Sequence, residues 1–226
     1  MKTRAKRAPR VAVLLSGCGV YDGSEAQEVV ATLLALDRAG AEALCVAPNV
    51  SMPVVINHLS GHPMIGESRN VLVESARLAR GDVADLARHL DADVDAVVVP
   101  GGYGATRVLC DHASAGRGAR VLPDVTRLLE GARRAGRPMG FACMAPVVAA
   151  RAFGALGVSL GTGAGSCALD DMAHWGAKVV ALGARELSVD RDHRLVCCAA
   201  FTATGRLSEV YEGIERMVRA TLELTR

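Results

Sequence analysis

Short apolar runs, closed by Gly, Pro or Ser, alternate with longer amphipathic stretches along most of the chain. Residues 11–15 read Val-Ala-Val-Leu-Leu and stop at Ser16-Gly17-Cys18-Gly19. So short a run, with no polar alternation, predicts a strand covered on both faces. Over 25–39 the apolar positions 29, 30, 33, 34 and 36 recur at helical spacing. Ser24 stands where an N-cap is wanted, Glu25 and Glu28 fall in the first turn, and Gly40 follows the last. The same reading predicts strands over 42–47, 96–99 and 138–142. It predicts helices over 67–90 (broken near Gly81-Asp82), 105–111, 121–135, 144–153, 168–175 and 205–224. Residues 48–66 read as loop, and 154–165 as a Gly-rich stretch without an element. Further strands are expected over 178–182, 186–189 and 195–199, the last two as a hairpin turning at 190–194.

Strands alternating with helices define an α/β fold with a mostly parallel sheet. In such folds ligands bind beyond the carboxyl ends of the strands, near the topological switch point. Chemistry is therefore expected in the loops at 16–24, 100–104 and 142–145.

Composition narrows the choice. Of 226 residues, 50% are hydrophobic and 22% charged, which suits one folded domain, expected over 10–226. Aromatics are only 3%, so the core must be Ala, Val and Leu. That argues against stacking platforms for single-stranded nucleic acid. No apolar run approaches the length of a membrane span, so no membrane partner is expected.

The net charge of +2 hides an asymmetry. Lys2, Arg4, Lys6, Arg7 and Arg10 stand in the first ten residues, and setting them aside leaves 26 − 5 = 21 bases against 24 acids. A body of that sign speaks against nucleic-acid binding. Residues 1–9 are expected to be a solvated, disordered basic tail, without the apolar segment of a secretory signal. Seven cysteines (18, 45, 110, 143, 167, 197 and 198) form no C-x-x-C pair. Their number and apolar settings fit neither a disulfide framework nor a zinc site, and point to a reducing, cytoplasmic compartment.

The sharpest local signal is Pro138-Met-Gly-Phe-Ala-Cys143-Met-Ala-Pro146. A cysteine here falls where a buried strand turns into a helix, as at a nucleophile elbow. The helix N-terminus would favour its thiolate and lower its pKa. From pattern alone, a buried structural cysteine accounts for the segment equally well. The turn Pro100-Gly101-Gly102-Tyr103-Gly104 could offer unobstructed N–H groups to an oxyanion beside Cys143. Gly17, Gly19 and Gly23 have the wrong spacing for a dinucleotide loop, and no ribose-binding acid ends the second strand. Neither cofactor nor metal is expected.

Taken together, Leu15-Ser-Gly-Cys-Gly-Val-Tyr-Asp-Gly-Ser-Glu25, Val55-Ile-Asn-His-Leu59, Arg69-Asn-Val-Leu, Val99-Pro-Gly-Gly-Tyr-Gly104 and Gly140-Phe-Ala-Cys-Met-Ala-Pro146 resemble the ElbB-type proteins. These are isoprenoid-biosynthesis proteins with an amidotransferase-like domain, in the PfpI and class I glutamine amidotransferase-like superfamily. The resemblance spans about residues 10–224. It implies a flavodoxin-like three-layer sandwich, with Cys143 as nucleophile and Glu28 as the protonated carboxyl that bonds its thiolate. Gly102 and Met144, beside Gly101, would supply oxyanion N–H groups. Asn57 and His58, which match the family's Asn-His pair, would border the pocket; Cys18, placed just after the first strand at the same sheet edge as Cys143, reads either as a pocket-lining cysteine able to resolve an oxidised Cys143 or as a buried turn cysteine. The implied activity is glutathione-independent glyoxalase, glyoxal to glycolate, by a homodimer without cofactor.

One departure stands out. Active branches of the superfamily often carry a histidine some 20 residues after the cysteine, but here that region reads Gly161-Thr-Gly-Ala-Gly-Ser166. His174 and His193 read as structural or surface residues, and His193-Arg-Leu lacks the His-x-Glu of a glutamine amidotransferase. Two readings follow: a Cys143/Glu28 enzyme acting on small dicarbonyls, or a non-catalytic binding or redox-sensing protein on the same fold. A role for the latter in regulating isoprenoid metabolism rests on the family name alone.

Overall fold

The structure, a computed structural model, describes residues 7–89, 93–166 and 168–225. The first apolar run forms β1 (Arg10–Leu14), with Val11 to Leu14 buried. Helix α1 (Ala26–Arg38) returns the chain to β2 (Glu42–Ala47), which pairs in parallel with β1. A small antiparallel hairpin follows, β3 (Ile56–Asn57) with β4 (His62–Pro63), then α2 (Val71–Leu78) and the short β5 (Ala84–Asp85). Next come β6 (Ala96–Val99), α3 (His112–Ala115), α4 (Pro123–Arg134), β7 (Met139–Ala142) and α5 (Pro146–Phe153). The last third holds β8 (Ser159–Gly163), α6 (Leu169–His174), β9 (Lys178–Leu182), β10 (Leu187–Asp190), β11 (Leu195–Cys198) and α7 (Leu207–Glu223).

Seven strands make the central sheet, in the order β10-β11-β7-β6-β1-β2-β5. Every pairing is parallel except β10 with β11. Both faces are covered by helices, so β6 and β7 are buried throughout, as a parallel sheet requires. This is the flavodoxin-like α/β sandwich. From β1 the chain moves outward to β2 and β5, then crosses to β6 on the other side of β1. The switch point therefore lies between β1 and β6, and the loops leaving them face one crevice.

Several local expectations change. Ser24 does not cap α1: Glu25 does, its carboxylate accepting the Glu28 N–H at 2.7 Å. Ser24 Oγ instead accepts the Ser16 N–H at 2.8 Å and tethers the two ends of the first loop. The helix expected over 67–90 is confined to α2, because Asn70 caps it and Gly81, at φ +88°, lies just past its end. Residues 105–109 form a π-helical turn, and the 48–66 loop contains the β3–β4 hairpin. The Gly-rich stretch holds β8, which pairs in parallel with β9 in a separate two-stranded sheet. Glycine hides a strand from pattern reading, since it brings no side chain to alternate.

Within the expected basic tail, Arg7 bonds Asp93 and Asp95 at 3.2 and 3.1 Å, and Pro9 O accepts the Glu42 N–H. Residues 7–9 thus lie against the body, while Lys2, Arg4 and Lys6, like Cys167, fall outside the described residues. The six described cysteines are free thiols. No described helix is long and apolar enough to cross a membrane.

Candidate active site

Cys143 follows β7 directly and takes a left-handed conformation, φ +57°. A non-glycine residue there costs about 1–3 kcal/mol and persists only when its surroundings hold it. Its N–H donates to Cys198 O at 3.0 Å, carrying the β7–β11 ladder one residue past the strand. Two residues on, Ala145 and Pro146 begin α5. The side chain is buried, 6% exposed.

Glu28 reaches Cys143 from α1, where the Glu25 cap fixes the first turn. It is wholly buried, and its carboxyl lies against Cys143 across Gly101. Oε2 accepts the Gly101 N–H at 2.8 Å, and Phe201 N approaches Oε1 at 3.5 Å. The Glu25 N–H in turn donates to Gly101 O at 3.0 Å, so the β6 turn and the start of α1 are bonded both ways. Gly101 is the one residue type that fits. A Cβ there would lie 2.3 Å from Cys143 Cβ and 2.6 Å from Glu28 Oε2. Gly102, at φ +94°, has Gly23 O and Glu25 N equally close.

Electrostatics couple the pair. Burial, reinforced by the Glu25 charge, raises the Glu28 pKa to about 7. Burial also pushes the Cys143 thiol well above its ordinary range, and the Glu28 carboxylate adds to this. The Gly102 and Met144 N–H groups pull the other way. The thiol depression expected from the helix N-terminus is thus overridden: the sulfur sits in a dry site beside a carboxylate. Two acids that both resist ionisation near neutrality hold one proton between them more readily than none.

Above the sulfur opens a cavity of about 310 Å³, lined by Val20, Gly102, Tyr103, Cys143, Met144, Gly165, Ser166, Phe201 and Thr202. No charged side chain is among these, and no histidine. His112 bonds Asp171 at 2.8 Å, His193 bonds Asp190 at 3.0 Å, and His174 is exposed at the end of α6.

The expected site residues divide into two groups. Cys143, Glu28, Gly101, Gly102 and Met144 come together. Cys18, Asn57 and His58 do not line the cavity. Cys18 lies near Glu74 and Arg77, and burial raises its pKa. Asn57 Oδ1 accepts the Leu59 and Ser60 N–H groups, an Asx turn that shapes the β3–β4 hairpin. His58 braces the first loop, with Nε2 accepting the Tyr21 N–H at 3.2 Å and Nδ1 donating to Ile56 O at 3.0 Å. Val20, Tyr103, Gly165, Ser166, Phe201 and Thr202 also line the cavity; Val20 and Tyr103 lie in the loops expected to hold chemistry, whereas Gly165, Ser166, Phe201 and Thr202 carry no sequence signal that singles them out.

The mostly parallel seven-stranded sheet flanked by helices has the DJ-1-like α/β fold. Drosophila melanogaster DJ-1beta shares the fold, with a TM-score of 0.58 over 96% of each chain at 18% identity. No protein-family model matches the chain. The human Glutamine amidotransferase-like class 1 domain-containing protein 3, mitochondrial, is 42% identical over 225 residues, covering 96% of this chain and 84% of that protein. The ES1 protein homolog, mitochondrial, of Rattus norvegicus is 41% identical with the same coverage. An isoprenoid biosynthesis protein with amidotransferase-like domain from Ehrlichia chaffeensis aligns with a TM-score of 0.89 at 31% identity, over 97% of this chain and 100% of that one. The chain belongs to the ES1 family of glutamine amidotransferase-like class 1 domain proteins.

Proposed function

We propose that the protein is a cofactor-independent glyoxalase-like enzyme that converts small dicarbonyls, glyoxal to glycolate, at Cys143. The observation that carries this reading is the buried Glu28 carboxyl set against the buried Cys143 across Gly101, beneath a small cavity with no charged side chain among its described lining residues. Sulfur attacks one aldehyde carbon, and its proton passes through Glu28 to the new hydroxyl. The product is the hemithioacetal Cys–S–CH(OH)–CHO. Glu28 then removes the proton from the sulfur-bearing carbon and returns it to the neighbouring carbon, by way of an enediol. The result is the thioester Cys–S–CO–CH2OH, which water cleaves to glycolate and free thiol. No electron leaves or enters, so no redox partner is required. The Gly102 and Met144 N–H groups stabilise negative charge beside the sulfur. An uncharged substrate suits a cavity whose described lining residues include no cation to balance a carboxylate.

The test is metal-free protein incubated with glyoxal, wild type beside Cys143→Ser, with glycolate as the readout. Product from wild type alone supports the mechanism; product from both places the chemistry elsewhere. A second reading, oxidation of Cys143 without turnover, is favoured by the lack of a histidine among the described lining residues. It predicts peroxide labelling of Cys143 and no glycolate. The free thiols suit a reducing compartment, and we place the chain in the cytoplasm; the human and rat relatives are named as mitochondrial proteins. Fractionation with antibody against the native chain decides this, and light scattering tests the homodimer.

A further inference from the structure

The elbow holds a strained residue, and what holds its carbonyl is not in the central sheet. Cys143 O accepts the Thr162 hydroxyl at 2.8 Å. Thr162 is wholly buried and lies on β8, in the separate two-stranded sheet. Its Oγ1 is 3.1 Å from Thr202 Oγ1, which bonds Ala199 O at 2.5 Å and accepts the Gly163 N–H at 2.8 Å. Thr202 also lines the cavity above the sulfur. Ala199 O has a second donor, the Thr202 N–H at 3.0 Å. The Thr202 hydroxyl is therefore able to turn toward Thr162 while Thr162 donates to Cys143 O.

The carbonyl of Cys143 and the N–H of Met144 belong to one peptide unit. That unit is planar and trans, so its O and H point in opposite directions. Anchoring the oxygen on one side aims the N–H on the other, and the Met144 N–H is one of the groups that favour negative charge on the Cys143 sulfur. We propose that Thr162, steadied by Thr202, is a positioning residue whose hydroxyl orients the 143–144 peptide so that Met144 N–H faces the sulfur and the oxyanion formed beside it. The tract that lacks the histidine of related branches thus supplies a hydroxyl from behind the elbow. Gly163, next to it, has no room for a side chain, since a Cβ would lie 2.2 Å from Thr202 O.

The inference rests on Cys143 being the reactive group, but not on the substrate. Its test therefore reads the thiol directly, as the pH dependence of Cys143 alkylation by iodoacetamide, followed by mass spectrometry of the Cys143 peptide. Thr162→Val keeps the side-chain shape but leaves Cys143 O unpaired. It should slow alkylation near neutral pH by roughly three- to tenfold and move the midpoint upward, as expected for loss of one hydrogen bond. Thr162→Ser restores the hydroxyl and should recover the wild-type midpoint. Thr202→Val, in a half-buried position, should give a smaller shift of the same sign. A Thr162→Val profile matching wild type would overturn the proposal. So would a Thr162→Ser profile as impaired as that of Thr162→Val, since packing would then explain both. Failure of glycolate formation in a wild type whose alkylation depends on Thr162 would remove the glyoxalase reading and leave this one standing.

Discussion

The Gly101 N–H donates to Glu28 Oε2 at 2.8 Å, joining residues 73 positions apart in the chain. The contact depends on Gly101 having no side chain, because a Cβ would fall 2.3 Å from Cys143 Cβ. Gly101→Ala must therefore push apart the thiol and the carboxyl it is meant to keep together. We expect a stability loss of about 1–3 kcal/mol from overpacking. Glycolate formation should fall on the order of 100-fold, since small displacements of reacting groups are costly. Thermal denaturation and a glyoxal assay check both.

Glu28→Gln separates catalysis from stability. Glycolate formation should be abolished, because an amide can neither take nor return the proton. Stability should change in the opposite sense near neutrality. The Glu28 pKa is raised from 4.5 to about 7 on folding, so the folded state holds a proton that the unfolded state gives up. That contribution is full below about pH 4.5 and is lost as pH rises from there to about 7. Wild-type stability should decline across this window by up to about 3 kcal/mol, and the decline should be absent in Glu28→Gln. Chemical denaturation at a series of pH values measures it; equal slopes in the two proteins would refute the assignment.

The same substitution should change the thiol. The Glu28 carboxylate raises the Cys143 pKa, so replacing it with a neutral amide should lower the pH at which Cys143 alkylates. Burial remains, so the midpoint stays above that of a free cysteine. An unchanged midpoint would mean that the two groups do not share a proton.

Cys18→Ser should leave glycolate formation within about twofold of wild type, as expected for a residue away from the reacting atoms. Cys18 does not line the Cys143 cavity. A disulfide between Cys18 and Cys143 after peroxide treatment, found by peptide mapping, would contradict this placement.

The elements legible in the chain were those whose periodicity is undiluted. Residues 11–15 and 96–99 are continuous apolar runs and became β1 and β6; the segment before Cys143 became β7. Ser159–Gly163 carries no legible strand pattern, because Gly161 and Gly163 bring no side chains to alternate, and Thr162 is hidden with it. Ser24 and Glu25 are both able to cap a helix. Only the pairing of Ser24 Oγ with Ser16 left the cap to Glu25.

Sequence by itself determined the class of fold, the strand–cysteine–helix elbow and the glycine turn beside it. Each of these is a local property, set by side-chain size and spacing within about ten residues. Tertiary structure alone decided which polar groups meet. It sets Thr162 behind the elbow and gives Asn57 and His58 bracing roles away from the cavity, whereas Glu28 stands beside Cys143 as the family resemblance implies. It also reversed the expected direction of the Cys143 pKa. The physical reason is that desolvation and charge coupling depend on distance in space. A residue's neighbours in the chain do not specify how dry its site is or what charge lies across it.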